Sequence, residues 1–130
     1  MIKTHQKINK TLCGKPISIE DDKFAAVEFH TTKEMVVDEK GLIHGGFIFG
    51  AADYCAMLAI NHPNVVLGSA DVKFLKPTKV GEILYFEGIV SSKEGKKRVV
   101  EVIGKNQKDQ IVFQGNFTCF VLEKHVLDSK

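Results

Sequence analysis

At 130 residues the chain has room for one hydrophobic core and not for two. Its 44% apolar and 26% charged residues exclude both a disordered chain and a membrane-embedded one. Eighteen basic against sixteen acidic residues leave a formal charge of +2, which demands no nucleic acid partner, and Arg98 is the sole arginine. Cys13, Cys55 and Cys119 are widely spaced, with no C-x-x-C pair and no histidine ligand pattern, so neither a disulfide framework nor a metal site is expected. Residues 1–12 are polar and lysine-rich and lack the apolar run of a secretory signal. A cytoplasmic location with free thiols is the expectation.

In chain order, Ile8 and Leu12 stand at helical spacing and allow one short helical turn. Residues 17–37 alternate loosely through Phe24, Val27 and Phe29 and read as one or two strands, broken near Glu20-Asp21-Asp22. A turn follows at Asp38-Glu39-Lys40-Gly41. Residues 45–60 read GGFIFGAADYCAMLAI, a helix with one charged side chain, Asp53, stopped at Asn61-His62-Pro63. At about 1.5 Å per residue this helix is about 25 Å long, short of a bilayer core. A helix that is apolar all round must be covered all round, and one sheet covers one side, so a partner subunit is expected over the rest.

Beyond Pro63 the period becomes two, with Val66, Gly68, Ala70, Val72 and Phe74 on one face and Ser69, Asp71 and Lys73 on the other. Residues 83–91 and 98–104 form a hairpin around Lys93-Glu94-Gly95-Lys96, and residues 111–121 form the last strand. Gly68, Gly88, Gly104 and Gly115 inside these strands permit curvature and close approach. The expected fold class is α+β: a single domain over residues 1–130, β-helix-ββββ, with one long helix gripped by a curled antiparallel sheet.

Asp53 is the residue to explain, since a carboxylate among Phe49, Ala52, Tyr54 and Met57 is costly to bury unpaired. One account is a structural hydrogen bond to Ser69, Asn116 or Thr118; the other is a catalytic carboxylate of raised pKa or desolvated charge. His44-Gly45-Gly46 precedes the helix, and paired glycines leave backbone N–H groups uncovered at the positive end of its dipole, where a carbonyl oxygen gathering charge can be held. The same triplet also serves as a plain turn. Asp53 lies more than two turns beyond it, and a dimer could bring one subunit's carboxylate to the other's helix start. Cys55 has no neighbouring histidine base and reads as a small core residue, and Lys96-Lys97-Arg98 reads as a solvated hairpin.

HGG-x(6)-D, then Ser69-Ala70-Asp71, then Pro77-Thr78-Lys79-Val80-Gly81-Glu82, resembles the hotdog-fold acyl-CoA thioesterases of the phenylacetate-pathway (PaaI-like) type. The likeness runs from about residue 17 to residue 121. It implies a hotdog homodimer, with a tetramer as a further level of assembly, that hydrolyses acyl-CoA at the subunit interface without metal or resident cofactor, coenzyme A being part of the substrate. It further implies that Gly45 N–H polarises the thioester carbonyl, with Gly46 beside it, and that Asp53 of the facing subunit activates water or attacks. Ser69 would position the water and His44 would be structural or near the thioester. Phe47, Phe49 and Tyr54 would line an acyl tunnel, and Lys73, Lys76, Lys79 and Arg98 could meet the coenzyme A phosphates. Asp38 departs from the pattern, standing where that family commonly has asparagine; an acid brought near Asp53 would raise one of the two pKa values.

Residues 34–61 and 68–74 also resemble the effector domain of the malonyl-CoA-responsive repressors of fatty-acid synthesis, hotdog domains that bind without hydrolysing. There the position of Asp53 is an amide and that of His44 an arginine, and no helix-turn-helix is expected in the few residues before the first strand. The alternative to an enzyme is therefore a non-catalytic acyl-CoA sensor. A hotdog dehydratase, a third reading, lacks its proline-rich loop here.

Overall fold

The computed structural model describes residues 1–128. The elements are α1 (Lys10–Cys13), β1 (Lys15–Glu20), β2 (Phe24–His30), α2 (Gly45–Ile60), β3 (Val65–Phe74), β4 (Ile83–Glu94), β5 (Lys97–Lys105) and β6 (Ile111–Val121). All strand pairs are antiparallel in one six-stranded sheet ordered β1-β2-β4-β5-β6-β3, which does not close into a barrel. Two strands, not one, precede the long helix. The alternation expected as far as Val37 ends at His30, where Lys33–Met35 turns as a short 3-10 helix that buries Met35. Helix α2 lies across the sheet and touches every strand, which is the hotdog arrangement.

The bounds of α2 match its apolar run, and each end has a physical cause. His44 is the N-cap, its ring nitrogen accepting the Gly46 N–H. At the other end Asn61 adopts the left-handed conformation (φ 52°, ψ 47°) and returns its N–H to the Met57 carbonyl at 2.8 Å. The helix can settle on the sheet because Gly88 has no side chain: a Cβ there would stand 3.3 Å from Cys55 Sγ. Gly104 likewise gives way to the Phe86 ring, which a Cβ would meet at 2.6 Å.

The covering of α2 differs from expectation. From Tyr54 to Ile60 every helical residue is buried by this chain alone, because the N-terminal segment and α1 close over the side that the sheet leaves open. Asn61 pins that segment: its Oδ1 accepts the Lys3 N–H, and its Nδ2 donates to the Met1 carbonyl and to Asp21, all at 2.8 Å. Only the N-terminal half is left partly open, where Gly46, Phe49, Gly50 and Asp53 form a stripe at i, i+3, i+4 and i+7. Strand β3 is the second surprise, for it lies at the sheet edge. Its period-two pattern breaks at a register shift between Leu67 and Ser69, and Ala70 and Phe74 are exposed, not covered.

Asn61→Ala removes three side-chain hydrogen bonds and leaves alanine in the left-handed region without compensation. It is expected to lower stability by about 2 kcal/mol in urea unfolding. A loss within experimental error would show that the N-terminal segment is held by other means.

Candidate functional site

The start of α2 is bare by construction. No charged side chain stands in its first turn, and its second N–H, from Gly46, is occupied by His44 Nδ1 at 2.7 Å. A nitrogen that accepts carries no proton, so in the neutral ring the proton sits on Nε2. The His44 carbonyl takes the Phe47 N–H at 3.1 Å, and its ring stands edge-on to Phe47. Gly45 N–H has no acceptor among the described residues, which leaves an uncapped donor at the positive end of a 16-residue helix. A Cβ on Gly45 would meet only the Phe74 ring, at 3.6 Å. Phe74 is 49% exposed and stands edge-on to Phe113, their ring centres 5.3 Å apart. Its place beside the helix start was not legible from an alternating strand, because that contact crosses from β3 to α2.

Asp53 closes the inner end of the open stripe. The next residue on that face, Met57, is buried. Neither Ser69, Asn116 nor Thr118 hydrogen-bonds to Asp53, and its Oδ1 is sealed from solvent without a partner. Strand β6 supplies Phe117 and Cys119 to the core here, and the Phe117 ring lies tilted against Phe49, one turn before Asp53, with ring centres 5.6 Å apart. Burial pushes the Asp53 carboxyl up to about 6. Burial, followed by the Asp53 charge, raises the Cys13 and Cys119 thiols. Asp38 contributes nothing to the shift at Asp53 within one chain. Its Oδ1 instead accepts the Lys40 and Leu42 N–H groups at 3.0 and 3.2 Å and ties its own turn.

Two expected site residues, Tyr54 and Arg98, are placed otherwise, while Cys55 lies in the core as expected. Tyr54 follows Asp53 by one residue, about 100° around the helix, so it faces the N-terminal segment at 1% exposure, near His5, and does not line the stripe. Arg98 is held by Asp22 (Nε to Oδ1, 3.0 Å) and by the Gly95 and Lys97 carbonyls. Since the Asp22 N–H donates to the Ile60 carbonyl, Arg98 belongs at the far end of α2 from Gly45. Cys55 is fully buried with its thiol on the Ala25 carbonyl, and burial drives its pKa upward, which suits a core residue.

The remaining residues flank the helix start or the open edge. Ser69 is exposed on β3 opposite Thr118, and Lys73 is exposed opposite Gln114. Lys76 lines a surface hollow of about 500 Å³ with Asn106, Gln107 and Lys108. Lys79 N–H bonds to Glu82, and Lys79 pairs with Leu42 in an isolated bridge. Among the described residues no group of histidine, cysteine and acid could hold a metal, and no helix is long and apolar enough to cross a membrane.

The thioesterase superfamily family model matches residues 40–113, which span the helix, β3, β4 and β5. The chain belongs to the thioesterase superfamily. An uncharacterized protein from Pyrococcus horikoshii is 52% identical over 98% of this chain and 97% of its own, with a TM-score of 0.95. A Streptococcus mutans protein solved bound to acetyl CoA is 25% identical over 92% and 97% of the two chains, TM-score 0.81. The PaaI protein of E. coli shares the fold at 24% identity over 89% and 84%, TM-score 0.80. Among curated relatives, transcription factor FapR of Caldanaerobacter subterraneus is 31% identical over 90% of this chain and 58% of its own length. A methylthioribose-1-phosphate isomerase of Aquifex aeolicus is 50% identical over 94% of this chain but only 26% of its own length. The chain thus spans a quarter to somewhat over half of these longer proteins, and their whole-protein activities belong to them. Both family resemblances drawn from the motifs therefore stand at the level of fold and superfamily.

The raised carboxyl couples stability to pH. The folded pKa lies above the unfolded value near 3.8, so the folded protein is favoured by protonation. Asp53 destabilises increasingly as pH climbs from about 4 to about 6 and by a constant amount above that. Asp53→Asn is therefore expected to gain roughly 2 kcal/mol at pH 8, allowing for partial solvent contact, and little at pH 4, in paired unfolding measurements. Equal effects at both pH values would mean that the carboxylate is compensated.

Proposed function

We propose that this chain is an acyl-CoA thioesterase acting as a homodimer, with coenzyme A entering as part of the substrate and no resident cofactor. The observation that carries this reading is an uncapped Gly45 N–H at the start of a helix whose open stripe carries an uncompensated Asp53. The superfamily membership and the acetyl CoA seen in the Streptococcus mutans relative support the ligand class.

Within one protomer the two groups cannot serve one carbonyl. Eight residues of helix separate them by about 12 Å, well beyond a near-attack distance of about 3 Å. A second copy brings its own Gly45 to this Asp53. The unpaired outer edge of β3, with Ala70 and Phe74 exposed, is the surface that such a copy would extend.

In this site the thioester oxygen accepts the Gly45 N–H of one protomer while Asp53 of the other, ionised above about pH 6, takes a proton from water. The water oxygen bonds to the carbonyl carbon, and the C–S bond breaks as the tetrahedral intermediate collapses. The coenzyme A thiolate leaves and takes up a proton, giving acid and free thiol. Ser69 on the edge strand is suited to orient the water. His44 acts through structure: by occupying the Gly46 N–H it sets the first turn while leaving Gly45 free. Lys73 and Lys76, in no ion pair among the described residues, are available to phosphates; Arg98 is not.

An acyl-CoA sensor is the second reading. The FapR relatives favour it, as does the locking of Asp38 into its own turn. A panel of acyl-CoAs assayed for released thiol separates the two: binding without turnover in the parent protein would sink the thioesterase reading. Asp53→Asn is expected to lower kcat by about 10² or more, and the parent kcat/KM to rise with pH through about 6 to a plateau.

Gly45→Pro tests the oxyanion donor. The first helical position tolerates proline, and His44 (φ −62°, ψ 130°) already has the extended conformation that proline favours before it. The variant should fold and melt like the parent yet lose about 10²-fold or more in kcat. Full activity in the folded variant would remove Gly45 from the mechanism.

A further inference from the structure

Tyr54 carries a hydroxyl that the chain buries and does not use. The residue is 1% exposed, and its Oη is sealed from solvent with no hydrogen-bond partner among the described residues. Buried tyrosine hydroxyls normally find a partner, and phenylalanine would fill the same space without the polar cost. Hydrolysis at Asp53 gives Tyr54 no part, since it faces the N-terminal segment, with His5 packed near its ring. On that side Tyr54 borders a hollow of about 130 Å³ together with Ile2, His5, Gln6 and Lys10.

The walls of this hollow supply donors and positive charge but no carboxylate. Lys3, Lys7, Lys10 and Lys15 all precede the first acid of the chain, Glu20, and of the four only Lys3 has an ion-pair partner among the described residues, Asp21. The Ile2 carbonyl already accepts from Gln6 Nε2 at 3.0 Å, and His5 Nδ1 is engaged by the Thr4 hydroxyl at 2.7 Å. What remains is the Lys10 ammonium, the second amide hydrogen of Gln6 and the Tyr54 hydroxyl, against one amide oxygen. Charge-assisted bonds to an anion would satisfy all three. Room for about four waters, at roughly 30 Å³ each, admits an ion of phosphate size and excludes an acyl chain or a nucleotide. Gln6 and Lys10 are exposed, so the ion has a path in from solvent.

We propose that this hollow binds a small oxyanion of phosphate size, held by the Tyr54 hydroxyl and Lys10, which fastens the N-terminal segment over the C-terminal half of α2. The site is separate from the thioester site and does not rest on the thioesterase reading.

The test uses the full chain at neutral pH in potassium phosphate and in potassium chloride of matched ionic strength, reading melting temperature and, by isothermal titration, phosphate binding. The parent should melt about 5 °C higher in about 50 mM phosphate, in a rise that saturates, as for a dissociation constant of about 1 mM. Tyr54→Phe should melt at or above the parent in chloride, because it deletes an unpartnered hydroxyl, and should lose most of the phosphate rise. Lys10→Gln, at an exposed position, should fold as the parent does and lose the same rise. Phosphate also stabilises proteins through exclusion from their surfaces, an effect that neither substitution touches. An equal rise in all three proteins is that effect alone and overturns the proposal, as does no rise in the parent, which leaves only water in the hollow. The titration is then repeated with coenzyme A or dephospho-coenzyme A present. Phosphate affinity unchanged by both is the expected result; a loss caused by either would put a phosphate of that molecule in the hollow and overturn a separate site. None of these readings depends on turnover, so a protein that cleaves no acyl-CoA refutes the thioesterase reading and leaves this test standing.

Discussion

The structure turns on a carboxylate that its own chain does not neutralise. Asp53 sits on an apolar helix opposite Phe117 and Cys119, with one oxygen sealed and unpartnered and a pKa raised to about 6 by burial. Unpaired buried polar groups are destabilising enough that they are rare in folded proteins. This one stands where the helix passes from fully buried to partly open. The surrounding fold serves that position: a sheet that supports the helix from one side, a bare helix start about two turns away, and an edge strand beside it that leaves the other side accessible.

The two halves of α2 divide stability from chemistry. Its C-terminal half is closed over by residues that precede the sheet, held through Asn61 at the left-handed cap and through the packing of His5 against Tyr54. Its N-terminal half carries Gly45, Gly46 and Gly50, each a poor helix former, and fully buries only Ile48, Ala51 and Ala52. Firm anchoring at one end permits a destabilised, open surface at the other. A helix covered evenly along its length would be more stable and would offer no site.

Much of this was legible from residue order. The helix bounds follow from an apolar run with one charge between a glycine pair and a proline, and the hairpins follow from turn residues between alternating segments. The motifs pointed to the right superfamily because three of them occur in the right order. What escaped was tertiary. Period two cannot tell an edge strand from a central one, so β3 read as half-buried when Ala70 and Phe74 are open. Arg98 looked available until Asp22, 76 positions away, proved to hold it. Tyr54 looked like a tunnel wall because its neighbour is Asp53, yet one step along a helix is a large rotation around it. The lysine-rich start gave no sign that it would cover the helix, since the contacts that hold it are largely backbone groups meeting one asparagine.

Those same facts bear on the choice between cleaving and sensing. In the repressor-type resemblance an amide stands where this chain has Asp53, and an amide can be buried without the charge penalty and cannot act as a base. A scaffold that only needed to grip an acyl-CoA would gain stability from that replacement and lose nothing in recognition. Retaining the acid means retaining a group that destabilises the folded chain at neutral pH, where it is mostly ionised and so competent to take a proton from water. Asp38 does not reproduce the effect, because its carboxylate is partnered by two N–H groups of its own turn. Asp53 is thus the one unpartnered buried carboxylate among the described residues, and the proposed hydrolysis would give its cost a use.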